Sequence, residues 1–403
     1  MPVGASRSTG IVQESRVKAS LMRRYFCANS NKLSGVFRRE RRVKIMHVTQ
    51  PGSAGVARVV LELATWQAAQ GHEVTVAGPS DSWLAAELKA REIVLHHWNA
   101  RRGPGLSTWR EVRELQRIIQ TETPSILHLH STKAGLAGRL AVKGRTPTIY
   151  QPHAWGDWAA PASWRFLVRR WERTASRWTC LTLCLSRDEL AHSDSLSISS
   201  SRLVRNGVDA TKFQPRDRRD ARERLGIKSD ARMVLCVGRL TKQKGQIDFL
   251  EIWKQIEEET PNVLLVLLGQ GPDKRVLEAS SDGYTVRFVT DCEDPRDWYA
   301  ACDIVVAPSH WEGAALVPLE ALAMGRTIVG YDVGDLGHII SIHGVAVPAG
   351  MKELLHHELR RVVTDPALQA QREIGATDHV RRTHQSTDRF DEITNLYTNF
   401  AGK

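Results

Sequence analysis

Residues 43–77 read VKIMHVTQPGSAGVARVVLELATWQAAQGHEVTVA. An apolar run at 43–48 is followed by a turn, by apolar residues at helical spacing over 56–69, and by a second apolar run at 73–77. Gly71 is typical of a helix end. This order predicts a strand–helix–strand unit, whose two strands lie parallel in one sheet and are joined by a right-handed crossover.

The same alternation recurs along the chain and predicts two α/β series, with a junction after Asn206-Gly207. Further strands are predicted at 126–130, 148–150, 181–185, 233–238, 263–268, 286–289 and 304–307, and helices at 109–120, 163–177, 246–259, 316–324 and 388–400. Two doubly wound domains facing each other follow from this order. Ligands of such sheets bind beyond the carboxyl ends of the strands, so the cleft between the domains is the expected site.

The basic excess is concentrated at the N-terminus. The chain of 403 residues has 56 Lys and Arg against 45 Asp and Glu, a net charge of +11. Residues 1–42 contain ten basic and two acidic side chains, which is +8 of that total. We predict a disordered basic tail over 1–42. It is interpreted as a solvated extension, as the product of a start assigned too far upstream, or as a segment that binds anionic lipid. In the last case each basic residue near the surface would contribute roughly 1 kcal/mol to the free energy of membrane binding.

Several classes of protein are excluded by what the chain lacks. The nearly neutral body carries no recognised nucleic-acid-binding motif, so no nucleic-acid partner is expected. No apolar stretch approaches the 18 residues of a spanning helix. The six cysteines form no C-x-x-C pair and no zinc spacing, which is typical of a reducing cytosol. A cytoplasmic location is therefore expected, and a peripheral position on the inner face of the cell membrane is kept as an alternative.

A basic turn follows the strand predicted at 233–238. Residues 237–245 read VGRLTKQKG, and cations at the start of a helix are the ingredients of a diphosphate site. Arg239 suits bidentate contact with phosphate oxygens, whereas Lys244 acts as a point charge. A solvated basic turn is the alternative interpretation. The G-x-x-x-x-G-K-[ST] pattern of a P-loop is absent.

Two glutamates lie eight residues apart in a mostly apolar stretch. Residues 308–325 read PSHWEGAALVPLEALAMG and contain Glu312 and Glu320. A carboxylate among apolar neighbours requires hydrogen-bonding partners, and sugar or ribose hydroxyls would satisfy it. The alternative is a carboxylate beside a helix N-terminus together with one ion pair in the core.

Together these motifs resemble glycosyltransferase family 4, a family of retaining, nucleotide-sugar-dependent enzymes. The resemblance covers roughly residues 43–400. It implies the GT-B fold, an α/β fold in which two Rossmann-like doubly wound domains face a central cleft. The N-terminal domain, 43–207, would bind the acceptor, and the C-terminal domain, 208–387, would bind the nucleotide sugar. A C-terminal helix over 388–403 would cross back to the N-terminal domain.

The resemblance also implies roles for individual residues. Arg239 and Lys244 would bind the donor diphosphate, and Glu320 would hold the ribose hydroxyls. Glu312 would bind hydroxyls of the transferred sugar, and His153 would lie near the reacting carbon, so these two are the expected catalytic residues. The remaining donor-binding positions act through their backbone. Gly55 would allow the N-terminal turn to approach the phosphates closely. Backbone amides beside Glu312 would support the phosphate and the sugar: Gly313, Ala314, Ala315 and Leu316.

The sequence departs from the family pattern in three places. Where a Gly-Gly pair and a later glutamate are common, this chain has Gly334-Asp335 and His338. The usual Gly-Gly-x-Glu is replaced by residues 54–57, AGVA, and the usual Glu-Gly-Phe-Gly by residues 312–315, EGAA. A catalytically inactive relative that binds a nucleotide sugar or a glycan is therefore an alternative. No Asp-x-Asp metal motif is found in a matching place, so we expect no tightly bound cofactor, no metal site and no strict metal requirement.

Three histidines invite a functional interpretation. His153 follows a proline and by itself would be interpreted as structural; the resemblance favours a catalytic role. His128 and His130 alternate on one predicted strand and would point to the same side. With no third ligand apparent in the sequence, packing and hydrogen bonding are favoured over a metal site.

Five tryptophans fall within residues 155–178, interleaved with arginines: Trp155, Trp158, Trp164, Trp171 and Trp178. Such a segment is typical of an amphipathic helix on an anionic membrane. The favoured interpretation is a tryptophan stripe that faces the core. The expected function is hexosyl transfer from a UDP-sugar to a lipid-linked glycan intermediate in cell-surface polysaccharide assembly. A transferase acting on a soluble acceptor is an alternative.

Overall fold

The structure, a computed structural model, describes residues 42–313, 316–340 and 343–401. The predicted basic tail lies outside the described residues, apart from Arg42. The same is true of two predicted site residues, Ala314 and Ala315.

The first sheet is built from the N-terminal part of the chain. Its strands are β1 Lys44–Thr49, β2 Glu73–Gly78, β3 Val94–His97, β4 Ile126–His130, β5 Thr148–Gln151, β6 Leu181–Cys184 and β7 Ser201–Leu203. Its helices are α1 Ala54–Ala69, α2 Trp83–Ala90, α3 Thr108–Glu122, α4 Thr132–Val142, α5 Gly156–Ala159, α6 Ala162–Ala175 and α7 Arg187–Ser195. The strand order is β3-β2-β1-β4-β5-β6-β7, and every pair is parallel.

The second sheet has the order β10-β9-β8-β11-β12-β13, again all parallel. Its strands are β8 Arg232–Val237, β9 Val263–Leu268, β10 Val286–Val289, β11 Ile304–Ala307, β12 Thr327–Tyr331 and β13 Gly344–Val347. The helices of this part are α8 Arg218–Leu225, α9 Gln246–Glu259, α10 Lys274–Ser280, α11 Arg296–Ala301, α12 Val317–Ala323, α13 Leu336–Ile340, α14 Lys352–Thr364, α15 Pro366–Glu373, α16 Ala376–Thr383 and α17 Ser386–Thr398.

Both sheets are buried on their two faces, which explains why their central strands are continuous apolar runs instead of alternating ones. The strand β9, for example, reads VLLVLL and contributes to core clusters on both sides of its sheet. In each sheet the strand order reverses beside a single strand, at β1 in the first and at β8 in the second. Loops at the carboxyl ends of these strands diverge at that point and leave a crevice.

The last helix, α17, packs on the first sheet although it follows the second in the chain. Ile393 and Tyr397 are buried in the same cluster as Ile45 of β1. The Trp66 ring nitrogen Nε1 donates to the Asp391 carboxylate at 2.9 Å and joins α17 to α1. The predicted α/β architecture of two Rossmann-like domains, with a C-terminal helix returning to the N-terminal one, is confirmed.

The helices of the described residues include none that is both long enough and apolar enough to cross a membrane.

Candidate functional site

The basic turn lies at the carboxyl end of β8, held by two glycines. Gly238 has φ of +153°, and the aliphatic part of Lys244 lies over it, 3.2 Å from where a Cβ would stand. Gly245 has φ of +68°, and a Cβ there would lie 2.1 Å from the Pro308 carbonyl oxygen. Only glycine fits this contact, which places the basic turn against the loop that follows β11.

The charges of this turn meet one carboxylate and one further cation. The Lys244 ammonium pairs with the Glu312 carboxylate, whose side chain is 11% exposed. Arg239 donates to Gln243 Oε1 at 3.3 Å. Burial, together with the proximity of Arg102 from the first domain, lowers the pKa of Arg239. Arg239 thus lies near both Arg102 and Glu312, and this part of the cleft holds three cations for one acid, an excess of positive charge that suits a multiply charged anion.

Lys244 and Glu312 both line a pocket formed by the ends of three strands of the second sheet. The lining residues come from β8, β11 and β12 and from the segments that follow them: Cys236, Val237, Lys244, Val306, Ala307, Pro308, Ser309, Glu312, Val317, Pro318, Tyr331, Val333 and Leu336. The ion pair thus supplies the charged groups of a largely apolar pocket, and a few polar groups among apolar ones are the usual composition of a small-molecule site.

Glu320 is almost completely buried in α12, and each of its oxygens has a partner. Oε1 accepts from the Arg58 guanidinium at 2.7 Å, and Oε2 accepts from the Tyr299 hydroxyl at 2.7 Å. Arg58 belongs to α1 of the first domain, so this ion pair joins the two domains directly. Of the two interpretations of Glu320 from the sequence, the core ion pair is present, and a ribose would have to share the carboxylate with Arg58.

Gly55 lies in the first turn of α1, one turn before Arg58. It is exposed, and no heavy atom of the described residues stands within 4 Å of the place where its Cβ would be. Packing among the described residues therefore gives no reason for a glycine at this position. The open space beside the backbone fits the expectation that a ligand approaches it closely.

His153 lies opposite the acidic loop, in a strained segment of backbone. His153 has φ of +53° and Ala154 has φ of +96°, both left-handed. Such conformations cost about 1–3 kcal/mol each and need support from the surroundings. A Cβ at Gly313 would lie 2.7 Å from the Ala154 nitrogen and 2.9 Å from the His153 carbonyl carbon. The loop that carries Glu312 therefore rests directly on the His153 backbone.

Glu189 holds this strained segment in place. One carboxylate oxygen, Oε1, accepts from the Ala154 N–H at 2.6 Å, and the other, Oε2, accepts from the Leu185 N–H at 2.8 Å. The side chain is completely buried, and burial raises its pKa to about 7 against the opposing effect of the two backbone hydrogen bonds. Glu189 thus positions the backbone beside the site from within the first domain.

The structure brings the described candidates to one cleft. Arg239, Lys244, Glu312, Gly313 and His153 form one group, and Leu316 lies half-buried immediately before α12. Gly55 and Glu320 lie on the two sides of the Arg58 contact.

Four residues of this cleft were missed in the sequence: Arg58, Arg102, Glu189 and Tyr299. Their partners are distant in the chain; Arg58 and Glu320, for example, are 262 positions apart. No local pattern could have identified them.

The expectation that His128 and His130 have no third potential ligand beside them was wrong, because a third imidazole lies next to them. His47 of β1 lies directly opposite His128 of β4 in the strand register, and His130 follows on the same side. All three are completely buried, with one ring nitrogen of each within 4.8 Å of one another. His47 Nδ1 lies 3.0 Å from His130 Nε2, so hydrogen bonding of these rings, as predicted, is present. The expectation that no metal binds stays a prediction.

Two family models match this chain. The model for glycosyl transferases group 1 matches residues 217–378, and that for Glycosyltransferase Family 4 matches residues 53–212. The two models together span residues 53–378 with one short gap, so the chain belongs to the glycosyltransferases that they describe.

The bacterial relatives of this glycosyltransferase include two transferases of named activity. It is 26% identical over 302 residues to the lipopolysaccharide core biosynthesis mannosyltransferase LpsB of Rhizobium meliloti, covering 72% of this chain and 76% of that protein. It is 27% identical over 321 residues to an Escherichia coli UDP-Gal:α-D-GlcNAc-diphosphoundecaprenol α-1,3-galactosyltransferase, covering 70% and 78%.

Its fold matches that of solved glycosyltransferases. The structure of Anabaena HepE in complex with UDP and glucose superposes with a TM-score of 0.78 at 18% identity, over 89% of this chain and all of the other. WaaG, a glycosyltransferase involved in lipopolysaccharide biosynthesis, gives a TM-score of 0.72 at 17% identity, over 89% and 100%.

The raised pKa of Glu189 predicts a specific pH dependence of stability. Its ordinary value is 4.5 and its value in the folded protein is about 7, so between these pH values the folded state keeps a proton that the unfolded state has lost. This group's contribution to the free energy of unfolding therefore decreases as pH rises from 4.5 to 7 and is constant above that. Glu189→Gln removes this contribution.

Urea unfolding at pH 5, 6, 7 and 8 measures the effect. We expect the free energy of unfolding of the wild type to fall relative to that of Glu189→Gln between pH 5 and 7, with no further relative change at pH 8. Parallel pH profiles for the two proteins would contradict the assignment.

Proposed function

We propose that this glycosyltransferase transfers a sugar from a nucleotide diphosphate sugar to an acceptor hydroxyl, with retention of configuration. The observation that carries the proposal is the pairing of Lys244 with Glu312 in the pocket at the end of β8, beside Arg239. Cations beside an acid that can accept from hydroxyls fit the two halves of such a donor, the diphosphate and the sugar.

The nucleotide is proposed to be UDP. The E. coli relative is named for its use of UDP-Gal, and the HepE fold has been solved with UDP and glucose bound. The buried Glu320 would accept hydrogen bonds from the ribose at the side where Arg58 now contacts it. Gly55 would let the first turn of α1 approach the phosphates.

Charge stabilisation of the leaving diphosphate would provide most of the rate enhancement. The turn that carries Arg239 and Lys244 is held by the glycine contacts described above, so its backbone is already in place when negative charge develops on the phosphate oxygens. Two fixed cations also make a strict metal requirement unnecessary in this proposal. Lys244 would exchange its Glu312 partner for phosphate, which frees Glu312 to accept from hydroxyls of the transferred sugar.

Retention is proposed to occur by substitution on one face of the sugar. Of the carboxylates near His153 in the described residues, Glu189 accepts from two backbone N–H groups, and Glu312 is assigned in this proposal to hydroxyls of the transferred sugar. Neither is disposed as a covalent nucleophile. The diphosphate would leave from the face on which the acceptor enters, through an oxocarbenium-like state, and would help to deprotonate the acceptor hydroxyl.

Lys244→Ala tests the donor site. We expect weaker binding of UDP and a kcat lower by a factor of about 10²–10³, because a preorganised charge at the leaving group is removed. Lys242→Ala is the matched control, since Lys242 is an exposed cation in the same short turn. Donor hydrolysis and transfer with a panel of UDP-sugars, together with calorimetric titration of UDP, provide the measurements. Equal UDP binding by the two variants would exclude this donor site.

The acceptor is proposed to be a lipid-linked glycan intermediate reached at a membrane surface. The helix α6 exposes Trp164, Phe166 and Leu167, at 58%, 71% and 51%. The tryptophan segment is thus divided: Trp155 is buried and Trp171 is half-buried against Trp178, but Trp164 faces solvent. The core-facing stripe favoured from the sequence accounts for only part of the segment.

Basic residues surround this exposed apolar surface. Arg165, Arg169 and Arg170 are all exposed on α6. Apolar side chains between arginines are suited to the interface of an anionic membrane, and the basic tail over 1–42 would add to the attraction. Since α6 belongs to the first domain, which is expected to bind the acceptor, contact with the membrane would bring lipid-linked acceptors to the cleft.

Vesicle flotation tests this surface. We expect the double variant Trp164→Ala, Phe166→Ala to bind less to vesicles of phosphatidylcholine and phosphatidylglycerol than the wild type does. Trp83→Ala, which removes an exposed tryptophan from α2, is the control and should bind like the wild type. A chain lacking residues 1–42 measures the contribution of the tail. Undiminished binding of the double variant would remove α6 from the proposal and favour a soluble acceptor.

A further inference from the structure

A row of hydrogen-bonded side chains runs from the C-terminal helix α17 through the core of the first domain to His153. Gln67 Oε1 lies 2.8 Å from His47 Nε2, and His47 Nδ1 lies 3.0 Å from His130 Nε2. His130 Nδ1 lies 3.1 Å from His153 Nε2. Gln67, His47 and His130 are completely buried, so water cannot substitute for any of these partners.

Thr394 determines the direction of this row. Its hydroxyl donates to the Phe390 carbonyl at 2.7 Å, so its oxygen can only accept from Gln67, which lies 3.2 Å away. The nitrogen of the Gln67 amide therefore faces Thr394, and its oxygen faces His47. Without this contact the two ends of the amide would be interchangeable.

The position of the proton on each imidazole follows from that on the ring before it, because a neutral imidazole has one donor and one acceptor nitrogen. The Gln67 oxygen accepts from His47 Nε2–H, which leaves His47 Nδ1 as the acceptor for His130 Nε2–H. His130 Nδ1 then accepts from His153 Nε2–H. Burial keeps the rings neutral, since it lowers the pKa of His47 to about 4 and of His153 to about 3.

We infer that Thr394, Gln67, His47 and His130 are positioning residues that hold His153 in the Nε2–H tautomer and leave its Nδ1 as a hydrogen-bond acceptor. With Nε2 engaged by His130, His153 can offer the substrate only the lone pair of Nδ1. It accepts a hydrogen bond from a hydroxyl and does not act as a general acid.

This role of His153 rests on the proposed function, in which a sugar hydroxyl is the group that donates to Nδ1. The tautomer itself does not depend on that function and is measurable without substrate. The row also connects α17 to the cleft, because Thr394 belongs to the helix that returns from the second domain. Through Thr394, the C-terminal helix thus sets the tautomer of His153, which its apolar packing alone would not do.

A metal ion bound by His47, His128 and His130 would require the opposite arrangement. Metal on His130 Nε2 would leave the proton on His130 Nδ1, which would donate to His153 Nε2 and place the proton of His153 on Nδ1. The two arrangements therefore differ in the tautomer of His153, and the same spectrum distinguishes them.

The test is ¹⁵N NMR of the full chain labelled at histidine, in which two-bond and three-bond couplings identify the protonated ring nitrogen. The His153 signals are assigned by their loss in His153→Asn. We expect His47, His130 and His153 to carry their protons on Nε2. A proton on Nδ1 of His153 would overturn the proposal, and measurable zinc in the same sample would then indicate the metal arrangement.

Variants of Thr394 test whether this residue fixes the tautomer of His153. Thr394→Val removes the oxygen that orients Gln67, so we expect His153 signals from mixed tautomers and a kcat lower by about fivefold, the factor of one net hydrogen bond. Thr394→Ser retains the oxygen and should restore the single tautomer. Thr65→Val is the matched control, because the Thr65 hydroxyl also donates one turn back, to the Leu61 carbonyl, at 2.7 Å. If the His153 signals of Thr394→Val and Thr65→Val were identical, the inference would be contradicted. That result does not depend on which sugar donor the enzyme uses.

Discussion

The contact between Gly313 and the backbone of His153 and Ala154 is the constraint on which the candidate site depends. A Cβ at Gly313 would stand 2.7 Å from both the Ala154 nitrogen and a Glu189 carboxylate oxygen, so the two loops touch at the distance that only glycine allows. Through this contact the acid and cations of the second domain face the histidine of the first. The strained φ values of His153 and Ala154, and the buried carboxylate that supports them, are explained by the need to keep this surface in place.

Much of the architecture could be predicted because its signal is local. The helix over 246–259 and the strands over 263–268, 286–289 and 304–307 have the predicted bounds, since a continuous apolar run between turn residues suffices to identify a buried parallel strand. Four strands, β3, β7, β12 and β13, were not predicted. Edge strands such as β3 and β7 are short and less buried, and β12 follows Gly325 so closely that the helix before it dominated the local pattern.

The candidate site was only partly predictable for a different reason. Motif spacing identified Arg239, Lys244, Glu312 and Glu320, whose partners were then supplied by the fold. The Arg58 guanidinium against Glu320 and the His47 ring opposite His128 depend on sheet order and on the approach of two domains. Residues 155–178 show the same limit, because the spacing of the tryptophans described one helix face but did not indicate which of them the neighbouring helices would cover.

The most direct measurement compares the kinetics of Gly313→Ala with those of Gly105→Ala. Gly105 is an exposed glycine, and no atom of the part of the chain that the structure describes lies within 4 Å of its Cβ position. The added methyl group forces the Glu312 loop away from His153, whereas the close contacts that hold the turn of Arg239 and Lys244 lie elsewhere, at Gly238 and Gly245. We predict that the kcat of Gly313→Ala for sugar transfer falls by at least about tenfold, the factor that corresponds to about 1.4 kcal/mol, and that its affinity for UDP falls by less. Turnover equal to that of Gly105→Ala would contradict the claim that this contact assembles the site.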